Sequence, residues 1–201
     1  MSLEKGIFLY TGDTQFGKTT KAEADLRAAA AATGNPFLIV DLVKAANWEN
    51  QPHVPDLRSA ICALWKNDPA EPRESCIWTP ADDIDEFNAM MRAIFEQRFV
   101  HVLVDEFYWV CNKRSISKPM TRAVRAWHHL RASFHLTTQR PNDLHDDIWA
   151  CRPRLYSFHT EGPKDQETLR KERGWTKEQL EALPVGKYET NDPEDPACRK
   201  A

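Results

Sequence analysis

The sequence predicts an α/β fold, a mostly parallel central sheet flanked by helices, and three observations carry that prediction. Short apolar runs recur at 7–10, 37–41, 76–78 and 100–104 without polar alternation, the pattern of strands covered on both faces. Between them lie segments whose apolar side chains repeat at three and four residues, as in helices that bury one face. Pro, Gly and Asn punctuate the junctions. With 201 residues, 41% apolar and 28% charged, the chain is long enough for one well-buried core and short for two. We therefore expect one domain over 1–189 and a polar, flexible tail over 190–201.

The elements follow in order. Residues 7–10 form the first strand and 20–32, rich in Ala, the first helix, which Thr33-Gly34-Asn35-Pro36 stops. Residues 37–41 are a strand, apolar up to its closing Asp41. After a polar crossover over 45–55, residues 56–65 have helical spacing with Asp56 as N-cap. A third strand lies around 76–78. The next helix opens at 79–83 and turns Ile84, Phe87, Met90, Met91, Ile94 and Phe95 toward the core. Residues 100–106 read as a strand ending in two carboxylates, 107–118 as a loop, 119–130 as a basic helix and 133–138 as a strand closed by Gln139-Arg140-Pro141. A short helix at 143–150, an alternating strand at 154–159 and two helices at 165–173 and 177–183 complete the chain.

Between the first strand and the first helix stands Gly12-Asp13-Thr14-Gln15-Phe16-Gly17-Lys18-Thr19, a full match to the phosphate-binding pattern G-x-x-x-x-G-K-[ST]. The glycines let the backbone approach phosphates, and the next helix directs its positive end at the same charge. Gly12, Asp13, Thr14, Gln15, Phe16, Gly17, Lys18, Thr19 and Thr20 are thus expected to cradle ATP, with Lys18 against the outer phosphates and Thr19 on Mg²⁺. Asp105 and Glu106 end their strand at the edge where open α/β sheets bind ligands. Asp105 is expected to hold Mg²⁺ through its water shell, and Glu106 to orient or deprotonate the attacking water. Two strands separate this one from the phosphate loop along the chain, and the arrangement resembles the additional-strand, catalytic-glutamate branch of the nucleotidases. Gln139, at the end of the following strand, is placed to bond the γ-phosphate or its water.

Charge is uneven along the chain. The net charge is −3, yet residues 107–142 hold no acid and include Lys113, Arg114, Lys118, Arg122, Arg125, Arg131 and Arg140. Such segregation suits a polyanionic partner. The run Phe107-Tyr108-Trp109-Val110-Cys111-Asn112-Lys113-Arg114 mixes aromatic and basic residues and is the candidate DNA contact, able to meet phosphates without reading bases. Five widely spaced cysteines form no metal or disulfide pattern, and adjacent His128 and His129 point about 100° apart on a helix and cannot share a metal. No 18-residue apolar run and no signal peptide are visible, so we expect an intracellular protein without membrane insertion.

The stretch Thr138-Gln139-Arg140-Pro141 resembles the T-Q-R-P element of the FtsK–HerA family of DNA-pumping motors. Asp147-Ile148-Trp149, Arg154 to Phe158, Gly162 to Asp165 and Leu183 to Tyr188 are similar to the stretch after that element in family members. The resemblance spans about residues 5–189 and implies a RecA-like ATPase that moves double-stranded DNA through a ring, usually a hexamer. It also implies an arginine acting on the neighbouring subunit's site, here Arg131, with Arg125 and Arg140 as rivals. A bare motor of this length is most similar to the genome-packaging ATPases of membrane-containing icosahedral viruses. That implies capsid or portal-vertex partners and a place in the host cytoplasm or with the virion. The alternatives are a phage-assembly or secretion ATPase of the zona-occludens-toxin type and a P-loop nucleotide kinase.

Overall fold

The computed structural model describes residues 6–44, 48, 51–66, 73–80, 84–130, 133–193 and 195. The first half comprises β1 (Gly6–Thr11), α1 (Lys18–Thr33), β2 (Phe37–Asp41), β3 (His53–Val54), α2 (Leu57–Leu64), β4 (Cys76–Trp78), α3 (Ile84–Gln97) and β5 (His101–Asp105). The second comprises β6 (Cys111–Asn112), β7 (Ser115–Ile116), α4 (Lys118–Arg125), α5 (Trp127–Leu130), β8 (Ser133–Thr138), α6 (Asp146–Ala150), β9 (Arg154–Ser157), α7 (Pro163–Arg173), α8 (Lys177–Glu181) and β10 (Glu189–Thr190).

Eight strands form one sheet in the order β10-β9-β1-β8-β5-β2-β4-β3, parallel except for β10. In space a single strand, β8, separates β1 from β5, although three strands, β2, β3 and β4, separate them along the chain, one more than expected. Register brings Thr11 opposite Thr138 and Asp41 opposite Asp105, so the strand ends share one rim.

Each apolar strand serves two cores. Ile7, Leu9, Leu38, Val40, Val102, Val104 and Leu136 pack with Phe87, Met90, Met91 and Ile94 of α3 and Met120 and Val124 of α4. Phe8, Tyr10, Ile39 and Leu103 face the other way, onto Ala22, Leu26 and Ala29 of α1. The alanines let α1 lie close to the sheet.

Several expectations are corrected. Ile84 begins α3 and is 48% exposed, while Phe95 is half-buried under the Arg122 guanidinium, 3.9 Å from its ring. Helical spacing identifies the buried face but not where along the helix burial begins. The loop expected over 107–118 contains a 3₁₀ turn at Phe107–Trp109 and the hairpin β6–β7. The basic helix breaks after Arg125. Of the tail expected over 190–201, the described residues 190–193 and 195 are held, with Thr190, Asp192 and Asp195 buried and the Tyr156 and Tyr188 hydroxyls donating to Asp192 and Asp195 at 2.7 and 3.0 Å, while 194 and 196–201 lie outside the described residues. Local polarity suggested a loose end, but buried tyrosine hydroxyls need these acceptors. Cys62, Cys76, Cys111 and Cys151 are free thiols, and no described helix is long and apolar enough to cross a membrane.

A buried polar chain crosses the sheet. Thr33 Oγ1 lies 2.8 Å from His101 Nε2, and the Ser133 amide donates to His101 Nδ1 at 3.2 Å. Ser133 Oγ is 2.8 Å from His135 Nε2, His135 Nδ1 is 2.9 Å from Tyr10 Oη, and Tyr10 donates to Asp25 at 2.9 Å. With Ser133 Oγ–H donating to His135 Nε2 and His135 Nδ1–H to Tyr10 Oη, both imidazoles are neutral, and Ser133 Oγ also lies 2.7 Å from His101 Nδ1. Burial pushes the His101 pKa down to about 4 and that of His135 well below its usual range. Because these folded values lie below the unfolded one, the stability they contribute is complete above pH 6.5 and is lost as pH falls toward 4. For His101 alone the loss amounts to about 3 kcal/mol across that window. Thermal melts from pH 7 to pH 4 are expected to show a steep fall in Tm that flattens in His101→Gln.

Candidate nucleotide site

β1 delivers the chain to Gly12 at the sheet rim, and α1 begins at Lys18. The loop between requires unusual backbone. Gly12 and Gly17 have φ of 135° and 99°, and Gln15 is left-handed at 68°. Backbone N–H groups and the positive end of the 16-residue helix α1 therefore converge on the loop.

The two acids meet this loop from β5. Thr19 Oγ1 donates to Asp105 Oδ1 at 3.1 Å, and Lys18 Nζ lies 3.2 Å from the Asp13 carbonyl and 4.0 Å from Glu106 Oε1. Burial holds the Lys18 ammonium below the usual lysine range, and Glu106, Asp105 and Asp13 pull it back up. Burial likewise raises the Asp105 carboxyl, opposed by bonds from Thr137 and Thr19 and helped by Glu106. A divalent cation between Thr19 and Asp105 would favour the ionised carboxylate. The donor set, one hydroxyl and one carboxylate beside a phosphate cradle, suits Mg²⁺.

Gln139 joins the two halves. Its amide nitrogen donates to Glu106 Oε1 at 2.8 Å, its backbone N–H to Oε2 at 3.3 Å, and its carbonyl oxygen accepts from Thr14 at 2.9 Å. Glu106 is not a strand residue: its φ is 50°, a left-handed turn that lifts the carboxylate out of the strand. Thr137 fixes that turn, accepting from the Glu106 amide at 2.9 Å and donating to Asp105 at 2.7 Å. Thr137 is not among the site residues expected from sequence, although its place two residues before Gln139 puts it on the same rim.

A segment from the far end of the chain also braces the loop. Asp13 N–H donates to the His159 carbonyl at 2.8 Å, Glu161 N–H donates to the Asp13 carboxylate at 2.9 Å, and Phe16 stacks on His159 at 4.3 Å. Phe16 thus serves the brace. Asp13, His159 and Glu161 bring ligand-capable atoms within 4.8 Å of one another. Thr20 and Gln15 line the cavity beside the loop.

The basic tract divides. Arg125 binds Asp147 at 2.5 Å and Arg122 covers Phe95, whereas Lys113 and Arg114 stand exposed on the β6–β7 hairpin. Trp109, 60% exposed, borders them with Tyr108, in a cavity of about 420 Å³ that also includes Asn112 and Asp143. The Arg140 side chain is 65% exposed and 3.9 Å from Asp143. Arg131 lies outside the described residues.

The strand order and the phosphate loop define a RecA-like P-loop NTPase fold of the additional-strand class. No protein-family model and no curated protein matches the chain. Among solved structures it is similar to the genome packaging NTPase B204 from Sulfolobus turreted icosahedral virus 2 in complex with sulfate. That match has a TM-score of 0.72 and 15% identity, over 92% of this chain and 90% of that one. The same protein with ATP-gammaS matches at a TM-score of 0.67 and 16% identity, over 86% and 84% of the two chains. EssC (ATPases 2 and 3) from Geobacillus thermodenitrificans matches at 0.61 and 16% identity, over 95% of this chain and 38% of that one. At these identities the likeness is one of fold.

Proposed function

We propose that the chain hydrolyses ATP and uses the energy to move double-stranded DNA, as a viral genome-packaging motor. The observation that carries the hydrolytic part is the meeting of Lys18, Thr19, Asp105 and Glu106 around one phosphate cradle, joined by Gln139. In this reading the loop amides and Lys18 bind the β- and γ-phosphates and take up charge that develops on them. Mg²⁺, held by Thr19 and by Asp105 through water, would neutralise the phosphate oxygens. Glu106 accepts the proton of the attacking water, and Gln139 ties that carboxylate to Thr14 of the loop, so loss of the γ-phosphate is felt on β8. An arginine from a neighbouring subunit completes the site, and Arg131 is the first candidate by its resemblance to the arginine found there in FtsK-type motors, with Arg140 and Arg125, which holds Asp147, as rivals.

DNA movement rests on the basic hairpin and on the fold shared with B204, which is described as a genome packaging NTPase. Lys113 and Arg114 meet backbone phosphates, which any sequence supplies. A ring of copies, most simply a hexamer, and a capsid or portal-vertex anchor belong to the same proposal. So does a site of action in the host cytoplasm or with the virion. A kinase reading lacks an assigned role for Glu106 held by Gln139.

The test is ATPase activity with and without long double-stranded DNA across a salt series. Stimulation of severalfold, fading as salt rises, is expected. The double variant Lys113→Ala, Arg114→Ala should lose the DNA-dependent increment and keep the basal rate. Indifference to DNA in the wild type, with phosphate transfer to a small acceptor, would establish the kinase instead.

A further inference from the structure

Beside the phosphate loop the chain encloses a cavity of about 610 Å³. One side is Gly17, Lys18 and Thr19, so a nucleotide whose phosphates occupy the loop places its ribose and base here. The far wall is Ala24, Phe158, Val185, Gly186 and Tyr188. This wall is fastened to the loop: Gly186 N–H donates to the Phe16 carbonyl at 3.1 Å.

What the far wall offers a base is apolar surface. Val185 is 69% exposed at its edge, and the Tyr188 ring packs 5.4 Å from Phe158. Three donors around it have partners already. The Tyr188 hydroxyl gives its proton to Asp195 at 3.0 Å, Lys21 Nζ binds both Asp25 oxygens at 2.7 and 2.9 Å, and Lys187 N–H bonds the Pro184 carbonyl at 3.0 Å. No carboxylate lines the cavity among the described residues, and its other polar side chains, Gln15 and Thr20, belong to the phosphate loop and the start of α1, on the phosphate side.

We propose that this cavity is the base subsite, that Val185 and Tyr188 hold the base by packing against its face, and that it accepts purine and pyrimidine triphosphates alike. The proposal rests on the phosphate-loop reading above and adds the substrate class. Packing of apolar surface separates related ligands by only about 10–200-fold, whereas a site built to hydrogen-bond a group rejects its analogue by about 10⁴–10⁵.

The test is calorimetric titration of the intact chain, with Mg²⁺, by ATP, GTP, CTP, UTP and inorganic tripolyphosphate. The four nucleotides are expected within about tenfold of one another. Val185→Ser and, separately, Tyr188→Leu should weaken all four by about five- to tenfold and leave tripolyphosphate unchanged. Rejection of GTP or CTP by more than about a hundredfold relative to ATP would overturn the proposal. So would unaltered nucleotide affinity in Val185→Ser, whose exposed position keeps the fold intact. Failure of every ligand, tripolyphosphate included, to bind the wild type would overturn the phosphate-loop reading itself.

Discussion

Glu106→Gln is expected to bind ATP within a few-fold of wild type and to hydrolyse it about 10³-fold more slowly. Amide and carboxylate share a shape, so the turn at Glu106, held through its backbone by Thr137, survives the change. In the proposed mechanism, what disappears is the base that takes the water's proton. Binding of a fluorescent ATP analogue and single-turnover hydrolysis separate the two effects. Turnover within tenfold of wild type would remove Glu106 from its role. Loss of binding would instead mean that the 4.0 Å approach of Glu106 to Lys18 maintains the cradle.

Gly12→Ala is expected to weaken nucleotide binding itself rather than turnover. The residue has φ of 135°, and a Cβ there would lie 2.8 Å from Phe158 Cβ and 2.9 Å from the His159 carbonyl. Backbone strain alone costs about 1–3 kcal/mol. The overlap cannot relax cheaply, because Asp13 N–H to the His159 carbonyl and Phe158 N–H to the Thr11 carbonyl, both 2.8 Å, pin the two segments together. Affinity for ATP is expected to fall by about a hundredfold or more, the equivalent of roughly 3 kcal/mol. Gly34→Ala is the control: φ there is 69°, yet nothing lies within 4 Å of the added methyl. It should lower Tm modestly and leave binding intact. Equal binding by both variants would show that the brace yields.

The parts of this site legible in the sequence are those written in consecutive residues. The eight residues from Gly12 to Thr19 carry their own chemistry, and an apolar strand ending in Asp105 marks the rim without reference to the rest of the chain. Gln139 is legible because its strand ends at that rim as well. The hidden parts depend on partners far apart in sequence. Thr137 matters only because β8 lies beside β5. His159 and Gly186 matter only because the later chain folds back on Phe16. The two-residue strands β3 and β10 are too short for any period, and the β6–β7 hairpin lacks an alternating pattern that would separate it from loop. Glu106 reads as the last strand residue because its left-handed turn is imposed by Thr137 rather than by its neighbours in sequence.

The neutral histidine chain through β1, β8 and β5 has a consequence for how the sheet assembles. Strands that are apolar on both faces fit their neighbours almost equally well when shifted along one another, so hydrophobic burial alone leaves their alignment loosely specified. Displacing β8 by one residue would strand Ser133 and His135 against aliphatic side chains and orphan Tyr10 and His101. Each misaligned pairing thus carries several unsatisfied polar groups in the interior. The network works as a key that admits one alignment, and that alignment is what sets Thr138 beside Thr11 and Thr137 beside Asp105.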